Sequence, residues 1–168
     1  IMYWVAILAA IVALLSAYVF ADFIRKQDPG TKKMQEISGF IREGAMAYLS
    51  KQYIYIAIFV MIVSVILGYF INLPSMICFV VGAVLSIASG YISMRFATLA
   101  NVRTAAAART SISPALRIAF SSGVVSGLSV VGMGLLGLTV MYLIFKSPDV
   151  VFSYSFGASS VALFARVG

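Results

Sequence analysis

Long stretches without a single charged residue constrain the fold of this chain more than any other feature. Residues 1–21, 52–94 and 118–145 contain no Asp, Glu, Lys or Arg. A helix needs about 20 mainly apolar residues to cross a bilayer, because the hydrocarbon core is about 30 Å thick and a helix rises about 1.5 Å per residue. Each run is long enough, and the middle one is long enough to cross twice. The pattern therefore predicts a multi-pass membrane protein.

The composition supports the same conclusion and narrows the chemistry. Hydrophobic residues make up 62% of the chain and charged residues only 10%, which is too apolar for a soluble domain without large exposed apolar patches. The chain has no histidine, and Cys78 is its only cysteine. Histidine general bases, His/Cys metal sites, CxxC redox pairs and disulfides within the chain are therefore excluded.

Turn signals divide the apolar runs into individual helices. The segment Asn72-Leu73-Pro74-Ser75 splits the middle run into a helical hairpin, and Ser113-Pro114 predicts an N-cap followed by proline in the first turn. A last apolar run begins at residue 150. The predicted fold is an all-α, polytopic transmembrane bundle of about five spanning helices. Their predicted bounds are 1–21, 53–71, 75–110, 114–145 and 150–168.

The distribution of Lys and Arg predicts the orientation of the bundle. Ten of the twelve lie in two segments, residues 22–51 and 95–117, whereas the opposite loops contain only Lys146. Those ten are Arg25, Lys26, Lys32, Lys33, Arg42, Lys51, Arg95, Arg103, Arg109 and Arg117. Loops rich in Lys and Arg stay on the cytoplasmic side of a membrane. We therefore expect both segments to be cytoplasmic, with the N-terminus outside and the C-terminus inside.

Part of the first cytoplasmic segment has a helical pattern. Apolar residues recur there at spacings of three and four, which predicts an amphipathic helix leading into the second span. They are Met34, Ile37, Ile41, Ala45 and Tyr48. Such a helix either walls a cytoplasmic vestibule or covers the membrane surface, and the sequence favours neither.

Small residues form stripes on two predicted helices. In lipid, such faces let helices approach closely, and we expect them to be packing faces. The third helix carries Gly82, Ser86, Gly90, Ser93 and Ala97, and the fourth carries Gly123, Gly127 and Gly134.

The few acidic residues argue against a catalytic or metal site within this chain. Mg²⁺ prefers clustered oxygen ligands, but the five carboxylates are scattered and lie outside the apolar runs. They are Asp22, Asp28, Glu36, Glu43 and Asp149. The prediction is that no residue of this chain is catalytic, binds substrate or binds metal. The net charge of +7 is explained by membrane topology, so we expect no nucleic-acid partner.

Three stretches resemble a known family. They are EISGFIREGA at 36–45, MRFATLANVRT at 94–104 with AART at 107–110, and GASSVALFARVG at 157–168. In this order, each on its expected helix, they resemble the membrane-integral pyrophosphatases that pump H⁺ or Na⁺. The resemblance covers essentially the whole chain but only the N-terminal portion of that family's helices. We therefore expect a fragment of a longer, multi-pass membrane protein.

The resemblance implies a function for the longer protein. It would be an enzyme that couples Mg²⁺-dependent hydrolysis of pyrophosphate to H⁺ or Na⁺ transport, with K⁺ as a further cofactor in some members and a homodimeric assembly in the bilayer. The residues that hold Mg²⁺ and pyrophosphate would follow Gly168, so the chain alone is expected to be inactive. The alternative is a small, self-contained membrane protein, such as a transporter subunit or a structural bundle.

Arg166 is the candidate ion-coupling or gate residue. A charge within an apolar run faces a bundle interior or reaches to the membrane surface, and the sequence leaves both open. Counting back along the helix from Arg166 gives Ala162, Ser159 and Ser155, a small and partly polar stripe that suits an interior position. The resemblance implies that Arg166 lies in the coupling channel and pairs with carboxylates from other helices.

Overall fold

The protein is described by a computed structural model, which covers the backbone of residues 2–167 and the side chains of residues 3–164. Over this range the chain forms five α-helices and no strands, so the predicted all-α class is confirmed. The helices are α1 (Met2–Arg25), α2 (Lys32–Phe70), α3 (Leu73–Ala108), α4 (Ile112–Phe145) and α5 (Pro148–Val167).

Among the described residues, four helices are long and apolar enough to cross a membrane, namely α1 to α4. Their outward faces carry large apolar side chains, including Trp4, Tyr69 and Phe120, which are 70%, 83% and 72% exposed. A face of this kind is stable only against lipid or further protein. The spanning role of α5 stays a prediction.

The second helix is longer than the predicted span. It runs without a break from Lys32 through the predicted amphipathic segment, because no proline or turn signal interrupts that stretch. Thr31 caps its start, where the hydroxyl accepts a hydrogen bond from the Met34 amide at 3.4 Å. The amphipathic segment and the second span are therefore one helix, and no loop separates them.

The predicted hairpin turn is present. The Asn72 side chain accepts a hydrogen bond from the Ser75 amide at 2.8 Å, which caps α3. At the start of α4 the expected cap is wrong by two residues. Ser111 occupies the N-cap position, and Ser113 and Pro114 lie within the first turn, where proline needs no hydrogen-bond donor.

The third helix is the centre of the bundle and contacts all four others. The first helix packs mainly on α4 and touches the edge of α3, whereas α2 packs on α3. Within the described residues α1 and α2 do not touch, although they are consecutive in the chain. This open side between α1 and α2 exposes part of α3.

Only some of the predicted small-residue faces pack within this chain. Gly82 on α3 is a packing position, as expected, and the helix that it lies against is α5. The expected face of α4 stays a prediction, because among the described residues a Cβ at Gly123, Gly127 or Gly134 would meet no neighbouring helix within 4 Å. The closely packed glycines of α4 are Gly132, against Leu14 of α1, and Gly137. Spacing alone cannot tell which side of a helix meets its neighbour.

Candidate functional site on the fifth helix

The third and fifth helices cross at two glycines. A Cβ at Gly82 would lie 3.0 Å from the carbonyl carbon of Tyr154 and closer still to its oxygen. A Cβ at Gly157 would lie equally close to the carbonyl group of Phe79. The two backbones therefore touch, which is how small residues stabilise helix pairs where no hydrophobic effect drives association.

Two side-chain hydrogen bonds fix the position of α5 beside this crossing. The Ser86 hydroxyl of α3 donates to the Ala158 carbonyl of α5 at 3.0 Å. The Tyr154 hydroxyl donates to the Gly134 carbonyl of α4 at 3.1 Å, and the Tyr154 side chain is only 2% exposed. Because both acceptors are backbone carbonyls, α5 is held in one register against both neighbours.

A cavity of about 230 Å³ lies among α3, α4 and α5. Its lining is Leu85, Ser86, Ser89, Val130, Gly134, Tyr154, Ala158, Ser159 and Ala162. Four hydroxyls are present and no charged group. The volume is sufficient for several water molecules, at about 30 Å³ each. The arrangement can therefore hold water, but it supplies no acid or base for hydrolysis.

The stripe of small residues that precedes Arg166 on α5 partly coincides with this cavity. Ser159 and Ala162 line it, whereas Ser155 is half-buried and is not among its lining residues. Arg166 follows Ala162 by four residues on the same helix, but its side chain lies outside the described residues. Its role as an ion-coupling or gate residue stays a prediction.

Acidic and metal-ligating side chains do not converge anywhere in the described part of the chain. Asp22 instead forms an ion pair with Lys26, with 2.6 Å between the carboxylate oxygen and Nζ. That hydrogen bond and the charge of Asp22 raise the pKa of Lys26 above its ordinary value. The described side chains therefore do not form a Mg²⁺ site.

From the sequence, no role was assigned to Tyr154, which the structure places at the centre of these contacts. A signal was available. Tyr154 and Gly157 are three residues apart on α5, and Gly82 and Ser86 are four apart on α3, so each pair lies on one face of its helix. The sequence does not show that these two faces contact each other.

The helices and their apolar surfaces define a multi-pass α-helical membrane protein. Residues 11–168 match the family described as inorganic H⁺ pyrophosphatase. Because the match covers nearly the whole sequence, the chain belongs to this family of ion-pumping membrane pyrophosphatases, and the resemblance carried by the three motifs is confirmed.

Individual relatives support the assignment. A candidate K(+)-stimulated pyrophosphate-energized sodium pump of Clostridium tetani is 49% identical over 97% of this chain. A K(+)-insensitive pyrophosphate-energized proton pump of Methanosarcina mazei is 42% identical over 96% of the chain, and a second such proton pump of Moorella thermoacetica is 42% identical over 94%. The chain spans about a quarter (24%) of the length of each of these relatives.

Proposed function

We propose that this chain is the N-terminal membrane part of a pump that couples pyrophosphate hydrolysis to the movement of H⁺ or Na⁺ out of the cytoplasm. The observation that carries the proposal is the family match over residues 11–168, together with relatives named as pyrophosphate-energized pumps. The same match weighs against the alternative of a small, self-contained membrane protein.

Within such a pump the chain would act mainly as a scaffold that positions α5. The crossing at Gly82 and Gly157 and the hydrogen bond from Tyr154 support this role, because they hold α5 in a single register. The cavity lined by Ser159 and Ala162 supports an ion-path position for this face of α5. Arg166 would then place a fixed positive charge one turn further on, where it would keep a neighbouring carboxylate ionised and repel a returning cation.

Mg²⁺ and pyrophosphate would be held by residues of the longer protein outside this chain. Support comes from the scattered carboxylates, since a highly charged phosphate substrate needs several clustered oxygen ligands around its metal ions. Relatives include both K(+)-stimulated and K(+)-insensitive pumps. Activity is therefore to be measured with and without K⁺. A homodimer is the proposed assembly, as the family resemblance implies.

The test is reconstitution of the full-length protein in sealed vesicles. Mg²⁺ and pyrophosphate are added outside the vesicles, with and without K⁺. We expect phosphate release together with movement of H⁺ or Na⁺ into the lumen. A pH-sensitive dye measures H⁺ movement, and radioactive sodium measures Na⁺ movement. An ionophore should abolish the gradient and leave hydrolysis active. Residues 1–168 purified alone should release no phosphate. Hydrolysis by this segment alone, or no ion movement by the full-length protein, would contradict the proposal.

A further inference from the structure

Three arginines from three different helices surround one cavity at the basic end of the bundle. Arg25 is the last residue of α1, Arg42 lies on the N-terminal half of α2, and Arg95 lies on α3. With Phe96 and Leu99 they line a space of about 300 Å³. All three side chains are exposed, so the cavity opens to the surface of the described part of the chain.

No carboxylate among the described residues neutralises these arginines. The ion pair between Asp22 and Lys26 is the only one in that part of the chain, and even Glu43, the neighbour of Arg42, forms none. Arg25 stacks over the Phe96 ring with 5.3 Å between its guanidinium carbon and the ring centroid. Stacking orients the guanidinium plane and leaves its edge available for hydrogen bonds. Three positive charges around one space repel one another, and an anion between them would lower that energy.

An apolar groove leads from this cavity along the bundle. It has a volume of about 290 Å³, lies between α1, α3 and α4, and shares Arg25, Arg95 and Phe96 with the arginine cavity. The remaining lining is Leu14, Ala17, Tyr18, Ala21, Tyr91, Ile92, Val125, Ser129 and Met133. From Arg25 to Leu14 the groove follows eleven residues of α1, or about 16 Å at about 1.5 Å per residue. This is about the depth of one leaflet, half of a hydrocarbon core about 30 Å thick.

We propose that these two adjoining cavities bind one anionic phospholipid, with its phosphate between Arg25, Arg42 and Arg95 and an acyl chain in the groove. Guanidinium forks match the geometry of phosphate oxygens, and basic groups at the membrane surface attract anionic lipids. A cationic cavity beside an apolar groove, with three lining residues in common, favours a lipid over free phosphate, which would use only the cavity. The site goes beyond the proposed pumping function and does not depend on it.

The bound lipid would join parts of the chain that do not otherwise meet. Within the described residues α1 and α2 make no contact, yet Arg25 of α1 and Arg42 of α2 line the same cavity. A phosphate held by both would link α1 to α2 across the open side of the bundle. Anionic lipid should therefore stabilise the folded protein, and neutral lipid should not.

The experiment uses the purified full-length protein, delipidated in neutral detergent. The thermal unfolding midpoint is titrated with phosphatidylglycerol, phosphatidylcholine, inorganic phosphate and glycerol phosphate, and bound lipids are counted by native mass spectrometry. The test variant combines Arg25→Gln, Arg42→Gln and Arg95→Gln. The matched control combines Lys32→Gln, Lys33→Gln and Arg109→Gln. It also removes three positive charges from the basic end of the bundle, but none of its residues lines either cavity. If the triple variant does not fold, Arg42→Gln alone is titrated in its place.

We expect phosphatidylglycerol to raise the midpoint of the natural protein and of the control, and phosphatidylcholine to leave it unchanged. The triple variant should bind phosphatidylglycerol about tenfold more weakly or worse, since each basic residue near the surface contributes to anionic-lipid binding. Arg42→Gln should weaken it in the same direction. Equal binding by the triple variant and the control would overturn the proposal. A shift of the midpoint of the same size with inorganic phosphate or glycerol phosphate would also overturn it, because the site would then bind a free anion. The proposal would likewise fail if phosphatidylglycerol left the midpoint of the natural protein unchanged.

Discussion

Gly82 of α3 and Gly157 of α5 occupy equivalent positions in the crossing of their two helices. Each faces the carbonyl group of the residue three places before the other glycine, Tyr154 opposite Gly82 and Phe79 opposite Gly157. The contact is therefore reciprocal, and neither side has room for a side chain. In a membrane bundle such a contact sets the distance between two helices.

Alanine at either of these glycines should destabilise the protein. A methyl group at Gly82 or Gly157 would overlap backbone atoms, which cannot rotate away as a flexible side chain can, and overpacking of this kind costs about 1–3 kcal/mol. The measurement is unfolding of the full-length protein in mixed detergent. The control is Gly90→Ala on α3, where a Cβ would meet no neighbouring helix within 4 Å among the described residues. If Gly90→Ala proved as harmful as Gly82→Ala, the crossing would not be the constraint.

Removing the Tyr154 hydroxyl should weaken the attachment of α5 to α4. Tyr154→Phe keeps the buried ring but deletes the hydrogen bond to the Gly134 carbonyl at 3.1 Å. A bond of this kind contributes about 0.5–1.5 kcal/mol. The same unfolding assay should show a loss in that range. Tyr69→Phe is the matched control, since Tyr69 is 83% exposed, and it should leave stability unchanged. Equal effects of the two changes would show that the hydrogen bond adds nothing.

The predicted orientation can be tested by cysteine labelling in intact cells. Cys78 is buried, so single cysteines can be introduced in a Cys78→Ala background. Gly39→Cys and Ser111→Cys lie in the basic segments and are exposed. They should react with a membrane-impermeant reagent only after the membrane is opened. Asn72→Cys, in the turn between α2 and α3, should react from outside. The reverse pattern would mean that the N-terminus is cytoplasmic.

Changes at Arg166 should separate ion transport from membrane insertion. In the full-length protein we expect Arg166→Lys to impair transport, because it keeps the charge but loses the planar fork, and Arg166→Ala to abolish it. Membrane insertion should be normal in both variants, as judged by the amount of protein in the membrane fraction. The control is Arg109→Ala, a basic residue at the end of α3, which should pump normally. Normal coupled pumping by Arg166→Ala would assign Arg166 to membrane topology only.

Much of the local structure follows from the sequence because it depends on short-range chemistry. Apolar runs of membrane-spanning length predicted the helices, since a bilayer leaves the backbone few other ways to satisfy its hydrogen bonds. The turn at Asn72-Leu73-Pro74-Ser75 and the proline in the first turn of α4 were likewise predicted, whereas the N-cap of α4 was placed two residues too late. The continuity of α2 was not predicted, because a change from amphipathic to uniformly apolar character alters the surroundings of a helix without breaking it.

What only the tertiary structure decided is which faces meet. Gly127 and Gly132 are both glycines of α4, yet among the described residues only Gly132 lies against another helix. Likewise, nothing in the order of residues shows that Arg25, Arg42 and Arg95 line one cavity, or that α1 and α2 stay apart. Spacing along a helix defines its faces, but the rotation of each helix about its axis is set by packing against all its neighbours at once. The sequence alone determined the class, the helices and the family resemblance, whereas the cavities exist only where distant segments come together.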